Sequence, residues 1–362
     1  MSRLRILALF GDGGQQTGRV ALGDRHEIHF SAGALDDLLQ RDGGPTRVRR
    51  DVVDQVIERM GDFDAVFSDS AEAVLLRFVR ERRGLPPKPW LVNEVDRFEQ
   101  AGWVRRFVQR HYDQDPLPEC LRAPELLWFT ITPGLEPLYR DRGLRMENLY
   151  LLPMARASIG FFFPETVALQ DELLAAGDGA RITRAPVDEG CLLALGSHER
   201  DHDTLARALD LAGLSADVIC NLDQLDRRPA GPLRWHPSQP PAAYLESIRR
   251  ARAIVLPLGA PTRAQGQLSC ALPMRMGKAI AATGVDSLAD HIQPGRTGLS
   301  LPPGDPRALA DALARLSGDA GLRRRLGRQA QRREAVLSAR AERVLSEVLD
   351  RLQAAARDQN RV

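Results

Sequence analysis

The chain has 362 residues, which is too long for one ordinary hydrophobic core and therefore predicts two domains. A hydrophobic share of 43% and a charged share of 27% are typical of a soluble globular protein, and a net charge of +2 gives no reason to expect a nucleic-acid partner. The four cysteines are scattered without metal-ligand spacing, and no apolar run reaches transmembrane length, so a cytoplasmic protein is expected.

Short apolar runs alternate with amphipathic segments along the first half of the chain. Strands are predicted at 5–10, 26–30, 64–67, 89–93, 126–131 and 149–153, and helices at 51–60, 68–84 and 135–143. This alternation predicts a parallel sheet covered by helices.

A second series of strands and helices begins near residue 190. Strands are predicted at 191–196, 216–220 and 253–258, helices at 203–213 and 242–251, and a linker between the two series at 163–186. Residues 266–306 read as a helix, a Gly-Lys turn, a buried strand, a short helix, a second strand and the start of another helix. From 305 onward the chain is mostly helical.

The predicted helix start at Gly266, Gln267, Leu268 and Ser269 is a candidate anion site. In open α/β sheets the carboxyl ends of the strands are where ligands bind. A helix N-terminus placed there offers unpaired backbone N–H groups and the positive end of the helix dipole to a phosphate. The structural alternative is a helix start shaped only for packing.

Two groups of residues carry a family resemblance. The first is Gly266, Gln267, Met274, Gly277, Lys278 and Thr283, followed by QPGRTGLSLPPGDP, and the second is Gly196, Arg200, Asp201, Thr204 and Leu205. In this register, residues 190–335 resemble the GT-B class of glycosyltransferases, and specifically its large retaining family 4. The first half resembles that class only in the rhythm of its elements.

The resemblance implies an α/β fold of the GT-B type, with two Rossmann-like domains whose parallel sheets face a central cleft. Residues 1–170 would bind the acceptor and residues 186–335 the nucleotide sugar, and a helix at 336–362 would pack back toward the first domain. The implied reaction moves a sugar from a nucleoside diphosphate sugar to an acceptor with retention of configuration. It needs no metal and no cofactor beyond the donor.

The donor site implied by the resemblance includes Gly196, Arg200, Trp235 and Lys278. Arg200 follows the strand at 191–196, where a bidentate guanidinium can reach phosphate oxygens, although an ordinary solvated arginine also fits the loop. Trp235 would pack near the base or serve as a partly buried structural tryptophan. Lys278 would bind phosphate or only support its turn.

Two glycines in the first half, Gly13 and Gly14, follow the first strand in the loop GDGGQQTG. In a GT-B fold this loop faces the cleft, so the glycines would allow close backbone approach to a ligand, whereas the alternative is a tight turn. The loop also contains the first two glycines of GxGxxG, but Gln16 takes the third place, so the indication of a dinucleotide site is weak.

Glu94 and Asp96 are the candidate catalytic residues, because a carboxylate beyond the strand at 89–93 can orient or deprotonate an acceptor hydroxyl. Acids in the first turn of a helix would explain the same spacing. The histidines His111, His198 and His202 have no ligand spacing and are expected to be polar surface residues.

One departure from the family leaves other functions open. Family 4 commonly has two glutamates, one of which binds the donor ribose, where this chain has Ala264 and Leu272. A catalytically silent GT-B protein that binds or scaffolds is therefore an alternative, and an epimerase-like relative is another. The Arg-rich C-terminal helices are expected to face solvent, with peripheral contact to an anionic membrane as the alternative.

Overall fold

The computed structural model describes residues 4–9, 18–22, 26–30, 39–40, 47–48, 50–93, 108, 115–176, 190–197, 199–225, 227–259 and 265–359. The chain divides into two compact units, one of Met1–Leu152 with Arg343–Val362 and one of Pro153–Glu342. The division at residue 152 differs from the predicted linker at 163–186. Residues 164–176 of that linker form a helix whose leucines Leu173 and Leu174 pack on the core of the second unit.

The first unit is built on a seven-stranded sheet. Its strands are β1 (Leu4–Leu9), β2 (Gly18–Leu22), β3 (His26–Phe30), β6 (Ala65–Asp69), β7 (Trp90–Asn93), β8 (Leu126–Thr130) and β9 (Leu149–Leu151), and the strands β4 (Leu39–Gln40) and β5 (Arg47–Val48) form a separate pair. The helices are α1 (Arg50–Arg59), α2 (Ser70–Arg82), α3 (Leu117–Arg122) and α4 (Glu136–Asp141), with 3-10 helices at Met60–Asp62, Pro133–Leu135 and Met146–Asn148.

The sheet of the first unit has the order β2-β3-β1-β6-β7-β8-β9. Its pairs are parallel except β2 with β3. The strands β7 and β8 are almost wholly apolar and buried, as expected where helices cover both faces of a parallel sheet, and Phe67, Trp90 and Trp128 are fully buried.

The second unit contains the remaining elements. Its strands are β10 (Leu192–Leu195), β11 (Ala216–Ile219), β12 (Leu233–His236), β13 (Ala253–Leu256), β14 (Ile280–Thr283) and β15 (Leu299–Leu301). Its helices are α5 (Arg156–Phe162), α6 (Pro164–Ala176), α7 (His202–Ala212), α8 (Pro241–Arg250), α9 (Gln267–Arg275), α10 (Pro306–Gly318) and the start of α11 (Ala320–Gln359), with 3-10 helices at Leu222–Gln224 and Asp286–Leu288.

The second sheet has the order β12-β11-β10-β13-β14-β15 with every pair parallel. From β10 the chain moves outward to β12 and then returns to β13, which lies on the other side of β10. The direction of winding therefore reverses between β10 and β13. In open α/β sheets, ligands bind outside the carboxyl ends of the strands at such a reversal.

The helix α11 belongs to both units, since its residues up to Glu342 fall in the second and those from Arg343 in the first. Within the first unit, Arg351 donates hydrogen bonds to the Glu147 carbonyl at 2.8 Å and to the Asn148 side-chain oxygen at 2.9 Å. In the part of the chain that the structure describes, no helix combines the length and apolar character needed to cross a bilayer.

Candidate functional site

The loops that follow β10 and β13 meet at the carboxyl end of the second sheet. The Asp201 N–H donates to the Pro257 carbonyl at 2.7 Å, and the Gly259 N–H donates to the Glu199 carbonyl at 3.1 Å. These backbone bonds fix the two loops side by side. Glu199 has a φ of 54°, the one positive φ of a non-glycine residue in the described ranges, so strain is concentrated in this loop.

The side chain of Arg200 passes over Gly196 and is held there by two hydrogen bonds. Its Nε donates to the Leu195 carbonyl at 2.9 Å and its Nη2 donates to the Ser269 hydroxyl at 3.0 Å. Gly196 has a φ of +92°, and a Cβ on it would lie 2.6 Å from Arg200 Nη2. Glycine is therefore required both by the backbone conformation and by the passage of the guanidinium.

The cation of Arg200 persists at neutral pH although the side chain is largely enclosed. Burial lowers the pKa of Arg200 to about 10, and the nearby Tyr244 phenol opposes this shift. A guanidinium in such a setting interacts more strongly with an anion than one in bulk water. The position is suited to binding phosphate.

The N-terminus of α9 lies beside this guanidinium. Gly266 precedes the helix with a φ of +83°, and a Cβ there would lie 2.9 Å from a methyl group of Leu258. No side chain caps the helix, and its first turn contains no acid. Ser269, the third helical residue, is the acceptor for Arg200. The positive end of the helix dipole and a fixed arginine therefore converge at one place.

Gln267 and Leu268 complete this first turn. Gln267 is buried and Leu268 is 51% exposed. Of the predicted donor-site residues, the structure thus brings together Gly196, Arg200 and the turn that begins at Gly266.

Lys278 lies away from this group and is removed from the candidate site. Its side chain is 1% exposed, and its Nζ donates to the Ala251 carbonyl at 2.7 Å. Ala251 precedes β13 and Lys278 precedes β14, so both lie at the amino end of the parallel sheet. The Lys278 ammonium therefore links the starts of β13 and β14, which agrees with the alternative in which Lys278 only supports its turn.

Trp235 lies in β12, an edge strand, at a place where the sequence predicts no strand. It packs on the core with its ring edge-to-face against His202, 5.0 Å between ring centroids. His202 is 6% exposed, so the expectation of a polar surface histidine is wrong. Burial, and after it the charge of Arg200, lowers the pKa of His202 to about 4, so the ring is neutral at pH 7.

Several predicted residues lie outside the described ranges. They are Gly13, Gly14, Glu94, Asp96, His111, His198 and Ala264. Their assignments stay predictions. Within the described ranges, no group of three or more His, Cys, Asp or Glu side chains is arranged to hold a metal ion.

Sequence reasoning missed a cavity of about 270 Å³ in the second unit. Residues from α5, α6, α8, α9 and α11, together with Phe163 between α5 and α6, line it: Arg156, Ile159, Phe163, Thr166, Val167, Gln170, Tyr244, Leu268, Ala271, Leu272, Arg275 and Glu334. The α9 members recur at helical spacing and so could have been grouped on one face. The contribution of Glu334, which is distant in sequence, has no local signal.

Comparison with known proteins gives one family and a set of similar structures. Residues 223–319 match the model of the family described as glycosyl transferases group 1. No curated protein matches the chain. A sucrose-phosphate synthase from Thermosynechococcus elongatus is 17% identical, with 96% of this chain and 89% of that chain covered and a TM-score of 0.61.

Two further structures show the same likeness. HepE from Anabaena, solved in complex with UDP-glucose, is 14% identical over 97% of this chain and 100% of its own, with a TM-score of 0.61. A glycosyltransferase from Rickettsia africae is 12% identical over 96% of this chain and 99% of its own, with a TM-score of 0.59. The chain therefore has the two-domain α/β fold of GT-B glycosyltransferases, and residues 223–319 match the model of the group 1 glycosyl transferases.

Proposed function

We propose that this protein transfers a sugar from a nucleoside diphosphate sugar to an acceptor, with retention of configuration and without a metal ion. The observation that carries the proposal is the Arg200 guanidinium, held 3.0 Å from Ser269 at the N-terminus of α9. This pair lies at the carboxyl end of the sheet, beside the reversal between β10 and β13.

Breaking the bond between a sugar and a diphosphate leaves negative charge on the departing phosphate oxygen. A fixed guanidinium and the N–H groups of a helix end stabilise that charge without having to reorganise during the reaction. Arg200 supplies the cation, and the backbone of Gly266 to Ser269 supplies the dipole. Gly196 leaves room for that guanidinium against the main chain.

The nucleotide is proposed to be UDP. HepE, which shares the fold, was solved with UDP-glucose and with UDP and glucose. In this proposal Trp235 remains on the nucleotide side of the site. Retention follows from the resemblance to family 4. Glu94 and Asp96 are assigned to the acceptor side, and Gly13 and Gly14 to close backbone approach by the donor or the acceptor.

The alternative of a catalytically silent binding protein has one specific support, because Leu272, which is 8% exposed, stands where the family commonly has one of its two glutamates. The two functions differ in one measurable respect. A transferase consumes UDP-glucose, by transfer or by slow hydrolysis to UDP and glucose, whereas a scaffold binds the nucleotide and leaves it intact. Mass spectrometry of UDP-glucose incubated with the protein decides between them.

Calorimetric titration with UDP tests the diphosphate site. We expect Arg200→Ala to weaken UDP binding about tenfold or more, since a charge-assisted hydrogen bond contributes about 1.5–3 kcal/mol. The matched control is Arg207→Ala, which removes an exposed arginine from the same unit. Equal affinity in Arg200→Ala, Arg207→Ala and the unchanged protein would refute the role of Arg200.

A further inference from the structure

The cavity beside α9 adjoins the proposed diphosphate site through Leu268. The backbone of this residue belongs to the first turn of α9, while its side chain lines the cavity. A ring bonded to a phosphate at that turn can therefore enter the cavity. The volume of about 270 Å³ equals that of roughly nine water molecules in the liquid, which suits a single sugar ring.

One side of the cavity is apolar. Ile159, Phe163, Val167, Leu268 and Leu272 contribute to it. Phe163 and Leu268 are 37% and 51% exposed, although most large apolar side chains of the second unit are buried. Exposed apolar side chains around a concavity are typical of a ligand site, and a sugar ring offers them its C–H face.

The other side carries a buried acid. Glu334 is 5% exposed, and its Oε1 accepts the Arg156 N–H at 2.8 Å. Burial raises the pKa of Glu334, while that hydrogen bond and the charges of Arg275 and Arg156 oppose the shift. One carboxylate oxygen is therefore committed to the backbone and the second is available to a hydroxyl donor.

Arg275 supplies a donor on the same side. Its Nη2 donates to the Asp171 carboxylate at 2.6 Å, which fixes the guanidinium. Its Nη1 is buried and has no hydrogen-bond partner among the residues that the structure describes. A buried N–H without a partner is costly, so an acceptor from a bound molecule is expected at that atom.

We infer that this cavity is a polyol subsite, in which Glu334 accepts and Arg275 donates hydrogen bonds to the hydroxyl groups of a sugar ring joined to the diphosphate. The inference rests on the proposed function. The ring is either the ribose of the nucleotide or the transferred sugar, since both present hydroxyls beside a phosphate. Neither residue is needed to hold the diphosphate itself, so the two sites can be tested apart.

Calorimetry with three ligands tests the subsite. The ligands are UDP-glucose, UDP and 2′-deoxy-UDP, and the variant is Glu334→Gln, whose amide oxygen still accepts the Arg156 N–H. The matched control is Glu347→Gln, an exposed acid further along the same helix. If glucose occupies the cavity, Glu334→Gln weakens UDP-glucose about tenfold and leaves UDP unchanged. If ribose does, it weakens UDP-glucose and UDP alike and affects 2′-deoxy-UDP less.

A second variant guards against a fold defect in the first. Thr166→Trp fills the cavity from an exposed position on α6. We expect it to weaken the ring-bearing ligand by at least tenfold with an unchanged melting temperature. If the protein binds all three ligands and both variants bind them with unchanged affinity, the subsite is wrong and the diphosphate site stands. If no nucleotide binds the unchanged protein, the proposed function fails and the subsite fails with it.

Discussion

The substitution Gly196→Ala tests whether the loop after β10 positions Arg200. The new Cβ would lie 2.6 Å from Arg200 Nη2, closer than any stable contact, so the guanidinium must move. A movement away from Gly196 breaks the hydrogen bonds to the Leu195 carbonyl and the Ser269 hydroxyl. Alanine at a φ of +92° is also strained.

The expected effects have different sizes. The backbone strain costs about 1–2 kcal/mol, and the two lost hydrogen bonds add about 0.5–1.5 kcal/mol each. The free energy of unfolding should therefore fall by about 2–5 kcal/mol. Displacement of the guanidinium should weaken UDP about tenfold to a hundredfold, because a charge-assisted bond contributes about 1.5–3 kcal/mol.

Gly213→Ala is the matched control. Gly213 ends α7 with a φ of +63°, and a Cβ there meets no atom within 4 Å. This variant carries the backbone strain without the clash, so it should lose about 1 kcal/mol and 2–4 °C of melting temperature while binding UDP normally. Thermal melts and calorimetry measure both quantities. If Gly196→Ala binds UDP as tightly as Gly213→Ala, the reasoning about Arg200 is refuted.

Three further predictions concern the contribution of Lys278 to stability, the loss of stability in acid through His202, and activity without a metal ion. Lys278→Met leaves the Ala251 carbonyl without its donor, so the free energy of unfolding measured in denaturant melts should fall by about 1–3 kcal/mol. UDP affinity should stay unchanged, and weakened UDP binding would show that Lys278 belongs to the donor site. His202 has a depressed pKa of about 4, so the free energy of unfolding should fall as the pH drops from about 6.5 to 4. Melts at several pH values should show a weaker pH dependence of stability in His202→Phe. An unchanged pH dependence would contradict the assignment to His202. UDP-glucose consumption, followed by mass spectrometry, should persist in excess EDTA, and its loss and recovery with added divalent cation would overturn metal independence.

The sequence predicts most elements of the second sheet because their signals are local. The strand β14 and helix α9 follow from apolar runs bounded by turn residues. The short strand β12 is not predicted, because four residues followed at once by a proline carry little strand signal. Residues 164–176 of the predicted linker instead form α6, which begins at Pro164, because a proline is tolerated in the first turn of a helix.

Side-chain roles were harder to predict because they depend on contacts distant in sequence. The burial of Lys278 reflects a carbonyl 27 positions away, and the burial of His202 reflects the ring of Trp235 on a neighbouring element. Glu334 accepts a hydrogen bond from the Arg156 N–H in α5, which lies 178 positions earlier in the chain. Arg200 could be proposed because it lies close after a strand in a recognisable register, and that register said nothing about its bond to Ser269.

The main-chain character of the diphosphate site bears on how this chain can diverge. The reversal between β10 and β13 follows from connectivity, and amide groups at a helix end are present whatever side chains follow. In the proposed function, replacements at positions such as Leu272 change which molecule is held, while Gly196, Arg200 and the start of α9 keep the capacity to hold its phosphates. Chains of this architecture are then expected to change their glycosyl donor through a few side-chain replacements around the ring, with the phosphate-binding main chain and its glycines kept the same.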